Sequence, residues 1–468
     1  MTAPHTDQRD AAAPRPVSTQ EASGLLFAGF ALLLLIEYIG LGNLVPILKV
    51  TRFSTLLAWG LMILAVSRLG FKVVGEHRQL RLLWYFVIFT GASVLWAVVQ
   101  SYVPSNFRYM LDYFGLALIT TWMMDRPARL KQLSVVFSVI ILVLVFRNAD
   151  KLTQSERVGV MLAGYFMGDG NDLAWGFVTM LLFPLYLLLG KHSIPLKGLG
   201  ALAATAAVGG IIGTQSRGAT LALGAGMLVY LLFVSKRKAV VVGAIALAVA
   251  VVFAVAPSTY FSRMKTLQNV EEDSSAQGRL RAWKAAVSMA MQWPLGVGAG
   301  SFNSAFGRYF QPTEQGWGMA RWISAHSMYF KVLGEYGFLG LFLLLGILGT
   351  NFFEQLRMKR EIAAEPELHW TPELWPGLLA MGMAGYSVAA TFLGGVAYPH
   401  LFLLTGLTVA CRRAITAARL AAAAVPATTA PRLALPAFSH ADARGRTPVA
   451  AFIQRLHARH VTTAGRHR

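Results

Sequence analysis

Apolar runs of about 17–25 residues follow one another along nearly the whole chain, parted by short polar turns. Each is long enough to cross a hydrocarbon core about 30 Å thick as an α-helix. The pattern predicts spans near 24–42, 53–70, 80–100, 108–125, 131–147, 171–190, 196–213, 217–235 and 238–256. A polar interruption over 257–325 follows, and then spans near 326–350, 372–394 and 398–412. Within the interruption, residues 277–293 show the period of an amphipathic helix stopped by Pro294. The expected fold is an all-α polytopic membrane protein of about twelve transmembrane helices with one large extramembrane loop containing amphipathic helices. A β-barrel is excluded, because its spans would alternate apolar and polar residues over about ten positions.

Composition agrees. The chain of 468 residues is 55% hydrophobic and 14% charged, where soluble domains carry about a quarter charged residues. The formal net charge of +20 invites a nucleic-acid partner, but its distribution argues against one. One set of loops holds Arg68, Lys72, Arg78 and Arg81, then Arg126, Arg129 and Lys131, then Lys191 and Lys197. It continues with Lys236 to Lys238, then Arg357, Lys359 and Arg360, then Arg412 and Arg413. Every second loop is basic, which is a topology signal that needs no polyanion and puts these loops and both termini in the cytoplasm.

The expected organisation is a disordered cytoplasmic segment over 1–22, helices one to nine across 23–256, and a large periplasmic loop over 257–325. Helices ten to twelve across 326–412 and a basic cytoplasmic tail over 413–468 complete it. The first apolar run reads as an uncleaved signal anchor. Beyond Cys411, ten arginines stand against one acid, Asp442, a composition suited to touching anionic membrane lipids. The single cysteine allows no intramolecular disulfide and no zinc cluster.

On the side expected to face outward, cations should be scarce, yet Arg147, Arg157, Arg217, Arg279, Arg281, Arg308 and Arg321 fall there. Long loops are exempt from the charge bias, so Arg147 and Arg217, at the very ends of spans, are the more telling. Such a cluster suits an anion held near the outer surface. At Gly213-Thr-Gln-Ser-Arg217-Gly-Ala-Thr220, Ser216 is placed to cap a helix beginning at Arg217. A guanidinium beside the N–H groups of a helix start makes a phosphate site; a capped turn whose Arg snorkels to headgroups is the plainer alternative.

In the amphipathic helix, Leu280, Trp283, Val287 and Met291 are expected on the apolar face, with Arg281, Lys284, Ser288 and Gln292 opposite. Arg279 at its start is then placed to reach an anion, or is simply a solvated interfacial charge. Gly296-Val-Gly298-Ala-Gly300 follows a proline and no strand, so it reads as a backbone turn and not a nucleotide loop. His326, where the loop re-enters an apolar run, is suited to general-base work near neutral pH or to a structural place at the interface. Asp169 and Asp172 suggest helix caps more than a metal site, as no third ligand is evident. Glu37 and Glu335 fall at membrane depth, where an acid is a functional candidate by default. Glu335 also has Lys331 one turn earlier to pair with.

In order and spacing these motifs resemble the O-antigen ligase family, within the group that also holds O-antigen polymerases and protein O-oligosaccharyltransferases. The resemblance rests on Ser216-Arg217-Gly218 opening a span and on Gly278-Arg279 starting a helix in the long loop. It rests further on Trp293-Pro-Leu-Gly-Val-Gly298, and on Ala325-His326-Ser327 leading into Gly334-Glu-Tyr-Gly337. It implies transfer of a glycan from an undecaprenyl-pyrophosphate carrier to an acceptor hydroxyl, which in a ligase belongs to a lipid A–core sugar. By position, Arg217, Arg279 and His326 match the family's functional arginines and histidine. Arg147, Arg157, Arg281, Arg308 and Arg321 are further substrate-binding candidates.

Pyrophosphate is already a competent leaving group, so clustered guanidinium groups are expected to replace a metal and no cofactor is required. Without a well-placed nucleophilic carboxylate, a single inverting displacement is expected. A polymerase or a protein-modifying transferase would use the same donor with another acceptor. A transporter of lipid-linked glycans is the alternative of a different class, but no internal repeat supports it.

Overall fold

The computed structural model describes residues 24–154, 161–243, 246, 250, 274–309, 323–365 and 373–423; these are helices and their connections, with no strand. Residues 1–419 form one unit and 420–468 a second, and of the second only residues 420–423 are described.

The principal helices are α1 (Gly24–Ile39), α2 (Phe53–Leu69), α3 (Arg78–Ala92), α4 (Val103–Met123) and α5 (Pro127–Arg147). There follow α6 (Gly170–Leu189), α7 (Ile194–Gly213) and α8 (Arg217–Val234). Next come α9 (Ser274–Gln292) and α10 (Phe302–Tyr309). The last three are α11 (Met328–Ala364), α12 (Trp375–Ala389) and α13 (Pro399–Ala423).

Every apolar run read from the sequence coincides with one of these helices except that near 238–256, most of which lies outside the described residues. Among the described residues, six helices are long and apolar enough to cross a membrane: α5, α6, α7, α8, α11 and α13. The chain is therefore an all-helical membrane protein. The apolar helices α1 and α2 have 16 and 17 residues; at about 1.5 Å per residue they fall a few ångström short of a 30 Å core.

Local sequence sets the helix ends. Proline occupies the first turn of α4, α5, α7 and α12, where its missing N–H has no helical acceptor to lose. Asp169 caps α6 by accepting from Asn171 N–H at 2.7 Å. Within α6, the α-helical pattern lapses at Leu181, just before Pro184, whose ring cannot donate one turn back.

The bundle is knit by aromatic stacking and by buried polar pairs. Phe137 stacks on Phe183 at 4.1 Å, and Trp175 bonds Tyr386 O across α6 and α12. Between α11 and α13, Asn351 donates to Thr405 Oγ1 at 3.1 Å and Gln355 to Thr408 Oγ1 at 2.7 Å, the side-chain glue of helices that share an apolar solvent. At the far end of this pair, Arg412 meets Glu354 and Glu361, and Arg419 meets Glu361 and Glu365. These ion pairs accompany α13 beyond the expected end near 412, to Ala423.

Two features of the long loop differ from a simple amphipathic reading. On α9, the buried residues are Ala282, Ala285, Ala286, Met289 and Ala290. Leu280, Val287 and Met291, expected on an apolar face that rests on the outer leaflet or on the helix bundle, are exposed. The small residues allow close approach: a Cβ at Gly334 of α11 would stand 3.2 Å from Met289 Sδ. Shape, not bulk hydrophobicity, decided the face.

The second feature is a break in α11 at Gly337, with φ 62° and ψ −160°. It strands helical hydrogen-bonding groups, and the turn after Pro294 answers them. Val297 N–H donates to Gly334 O and Gly298 N–H to Glu335 O, both at 2.9 Å, while Phe338 N–H donates to Pro294 O at 3.1 Å. The same turn reaches the segment after α3, where Val98 N–H donates to Val297 O at 2.9 Å. Irregular backbone at membrane depth is tolerated where protein satisfies it in this way.

Candidate active site

The helix α8 begins as its sequence indicates. Ser216 is the N-cap, its hydroxyl accepting from Ala219 N–H at 3.4 Å, and Arg217 is the first helical residue. The preceding turn closes through Gln215, a non-glycine residue at φ 53°. Arg217 is half-buried, and next to it Gly218 lies flat against Phe392, where a Cβ would come within 2.8 Å of the Phe392 Cβ. The first N–H groups of a helix point along its axis with no helical acceptor, so Arg217 adds a cation to a terminus that is already positive.

His326 stands exposed on backbone at φ 44°, a left-handed conformation that costs a non-glycine residue about 1–2 kcal/mol. Such strain persists only where neighbours enforce it, and three neighbours do. Trp283 Nε1 of α9 donates to Ala325 O at 3.0 Å. Met328 N–H donates to Ala390 O at 2.8 Å. Gly394 lies close enough that a Cβ on it would touch His326 N and Cα at 3.5 Å.

The indole of Trp283 also stacks on Phe330, with centroids 4.7 Å apart and planes 10° from parallel. Arg279 lies four residues before Trp283, hence on the same face one turn closer to the helix start. The Trp283 bond therefore directs the Arg279 side of α9 toward the His326 backbone.

The connection between α12 and α13, residues 390–398, joins these parts. Phe392 covers the start of α8 and Gly394 abuts His326, with no more than about 7 Å of backbone between the two. Its end is fixed by Tyr398, which stacks on Trp175 at 4.0 Å and donates its hydroxyl to the Asp172 backbone carbonyl at 2.8 Å. Sequence reasoning missed this connection, because the apolar run near 372–394 absorbed its first half. Its signal was the pair Gly394-Gly395 between two apolar runs.

Of the remaining candidates, Arg147 and Arg281 are described with their side chains. Arg147 ends α5 and donates to Ile39 O, so it ties α5 to the end of α1. Arg281 is exposed on α9, two residues and so roughly 200° around the helix from Arg279. Arg308 lies in the last turn of α10, and its side chain is outside the described residues, as are Arg157 and Arg321 altogether. The start of α8 and the His326 backbone thus abut one connection, and the Trp283 bond ties the helix carrying Arg279 to the residue before His326. Two guanidinium groups and an imidazole can neutralise an anionic leaving group and take up a proton.

A helical membrane protein is the class that the fold defines. Residues 201–345, a stretch that includes Arg217, Arg279 and His326, match the family model described as O-antigen ligase. No curated protein matches the chain.

Proposed function

We propose that this protein is an O-antigen ligase, transferring O-antigen polysaccharide from undecaprenyl pyrophosphate to a hydroxyl of a lipid A–core sugar. What supports this is that the start of α8 and the His326 backbone both abut one connection, and that α9 is bonded through Trp283 to Ala325, within the stretch matched by the family model. In this reading the chain crosses the inner membrane of a bacterium about twelve times. Both termini lie in the cytoplasm, and the site faces the periplasm.

Arg217 and the start of α8 hold the pyrophosphate, and Arg279 closes on it from α9. His326 accepts the proton of the acceptor hydroxyl as its oxygen attacks the anomeric carbon. The bond to the pyrophosphate breaks on the opposite side, so the configuration inverts. The charge developing on the leaving group is met by guanidinium groups, whose planar donors suit phosphate oxygens. A catalytic metal is then not required.

Purified protein with a defined lipid-linked donor and lipid A–core tests this directly. Transfer should persist in chelator and collapse in Arg217→Ala, Arg279→Ala and His326→Ala. Strict dependence on added magnesium would remove the role assigned to the arginines. In cells, deletion should abolish every O-antigen rung while leaving core intact; a single-repeat band would instead mean a polymerase.

A further inference from the structure

Glu335 is 1% exposed and lies two residues before the break in α11. Its carboxylate turns to the start of α10, where Oε1 accepts from Phe302 N–H at 3.4 Å and the Gly300 N–H also donates to the carboxylate. A negative group there meets the positive end of the α10 dipole. Phe302 in turn covers Gly334, where a Cβ would stand 2.7 Å from its ring. Glu335 thus bonds through its own carbonyl to Gly298 and through its side chain to Gly300 and Phe302. One residue bonds three N–H groups along the turn that links α9 to α10.

We infer that Glu335 is a positioning residue, locking the turn between α9 and α10 onto α11 and so fixing where Arg279 stands relative to His326. This rests on the proposed transfer reaction for its catalytic consequence, but not for its geometry. The helix α9 is attached to the His326 segment at two places. One is the Trp283–Ala325 bond in its first half, and the other is the turn beyond its last residue. The second attachment also has the Val297–Gly334, Gly298–Glu335 and Phe338–Pro294 backbone bonds, and the Glu335 carboxylate adds the start of α10 to it; loosening it lets α9 shift about Trp283 and move Arg279. The carboxylate is needed as an acceptor of backbone N–H groups, which an amide oxygen can also be; a thioether of similar length cannot, and leaves two buried donors unsatisfied.

Full-length protein in nanodiscs, on a Cys411→Ala background, is spin-labelled at Lys284→Cys on α9 and Leu339→Cys on α11. The parent and Glu335→Gln should each show one narrow distance, and Glu335→Met a broadened one. In the transfer assay, kcat of Glu335→Gln should stay within about threefold of the parent. That of Glu335→Met should fall about 10²-fold, the scale set by a 1 Å misplacement, with donor KM little changed. A narrow distance in Glu335→Met overturns the inference. So does a broadened distance in Glu335→Gln, or a kcat for it as low as that of Glu335→Met. If Glu335→Met does not fold, Glu335→Gln decides alone. The distance is read without turnover, so failure of the ligase reading leaves the positioning test standing.

Discussion

Trp283 donates its indole N–H to the carbonyl of Ala325 at 3.0 Å, and this one bond ties the helix carrying Arg279 to the residue before His326. Trp283→Phe keeps a ring to stack on Phe330 and loses only the donor. It should cost about 1 kcal/mol of stability, the net worth of a neutral hydrogen bond, while transfer falls several-fold or more. Thermal unfolding in detergent alongside kcat checks the split. A stability loss without any change in kcat would mean that Trp283 is only packing.

His326→Asn should fold as well as the parent, because asparagine tolerates the left-handed backbone that His326 adopts. Transfer should fall by about 10²–10⁴-fold, the usual contribution of a general base. His326→Val should lose the same activity and, in addition, about 1–2 kcal/mol of stability from the positive φ. Comparing the two melting points separates backbone strain from chemistry.

Arg217→Lys keeps the charge and loses the planar fork. Its kcat should remain well below that of the parent, with Arg217→Ala lower by about 10²–10³-fold. Ser216→Ala removes the cap of α8 and should cost about 1 kcal/mol. It should disturb kcat less than either arginine variant. Full transfer by Arg217→Ala would end its role at the leaving group.

Gly337→Ala should destabilise the protein by more than about 2 kcal/mol. The residue sits at φ 62°, and the new Cβ would lie 1.9 Å from Pro294 O, so the turn between α9 and α10 must move off α11. Hydrogen exchange over residues 293–302 should rise in parallel. An unchanged exchange pattern would contradict the contact.

His77, in the connection before α3, titrates below the usual imidazole range, chiefly because burial disfavours its charged form, with Arg413 adding repulsion. The folded state then binds fewer protons at this site than the unfolded chain, so stability rises with pH through this region. It is lost as pH falls through the ordinary histidine value near 6.5. Melting points taken from pH 8 to pH 5 should decline, and less steeply in His77→Gln.

The apolar runs translated into helices almost one for one, because backbone groups at membrane depth are most easily satisfied within a single segment. The start of α8 was equally plain, since the Ser216 cap closes within three residues. The spacing of Leu280, Val287 and Met291 marked an apolar face without saying what it rests on, and it is Ala285, Ala286 and Met289 that are buried, with Met289 beside Gly334. Glu335 had Lys331 as an obvious neighbour in sequence, and Lys331 does act on its carboxylate; the bond to the start of α10, some thirty residues away in the chain, was not legible.

By itself, then, the sequence determined a membrane helix bundle, its helix starts and the residue types able to handle a pyrophosphate. Only the tertiary structure decided which face of α9 is buried, what Glu335 bonds to, and that residues 390–398 lie between Arg217 and His326. Helix period and capping are short-range bonds written in neighbouring residues. The site depends instead on close packing of glycine and alanine surfaces between segments far apart in the chain, and periodicity carries no record of which segments will meet.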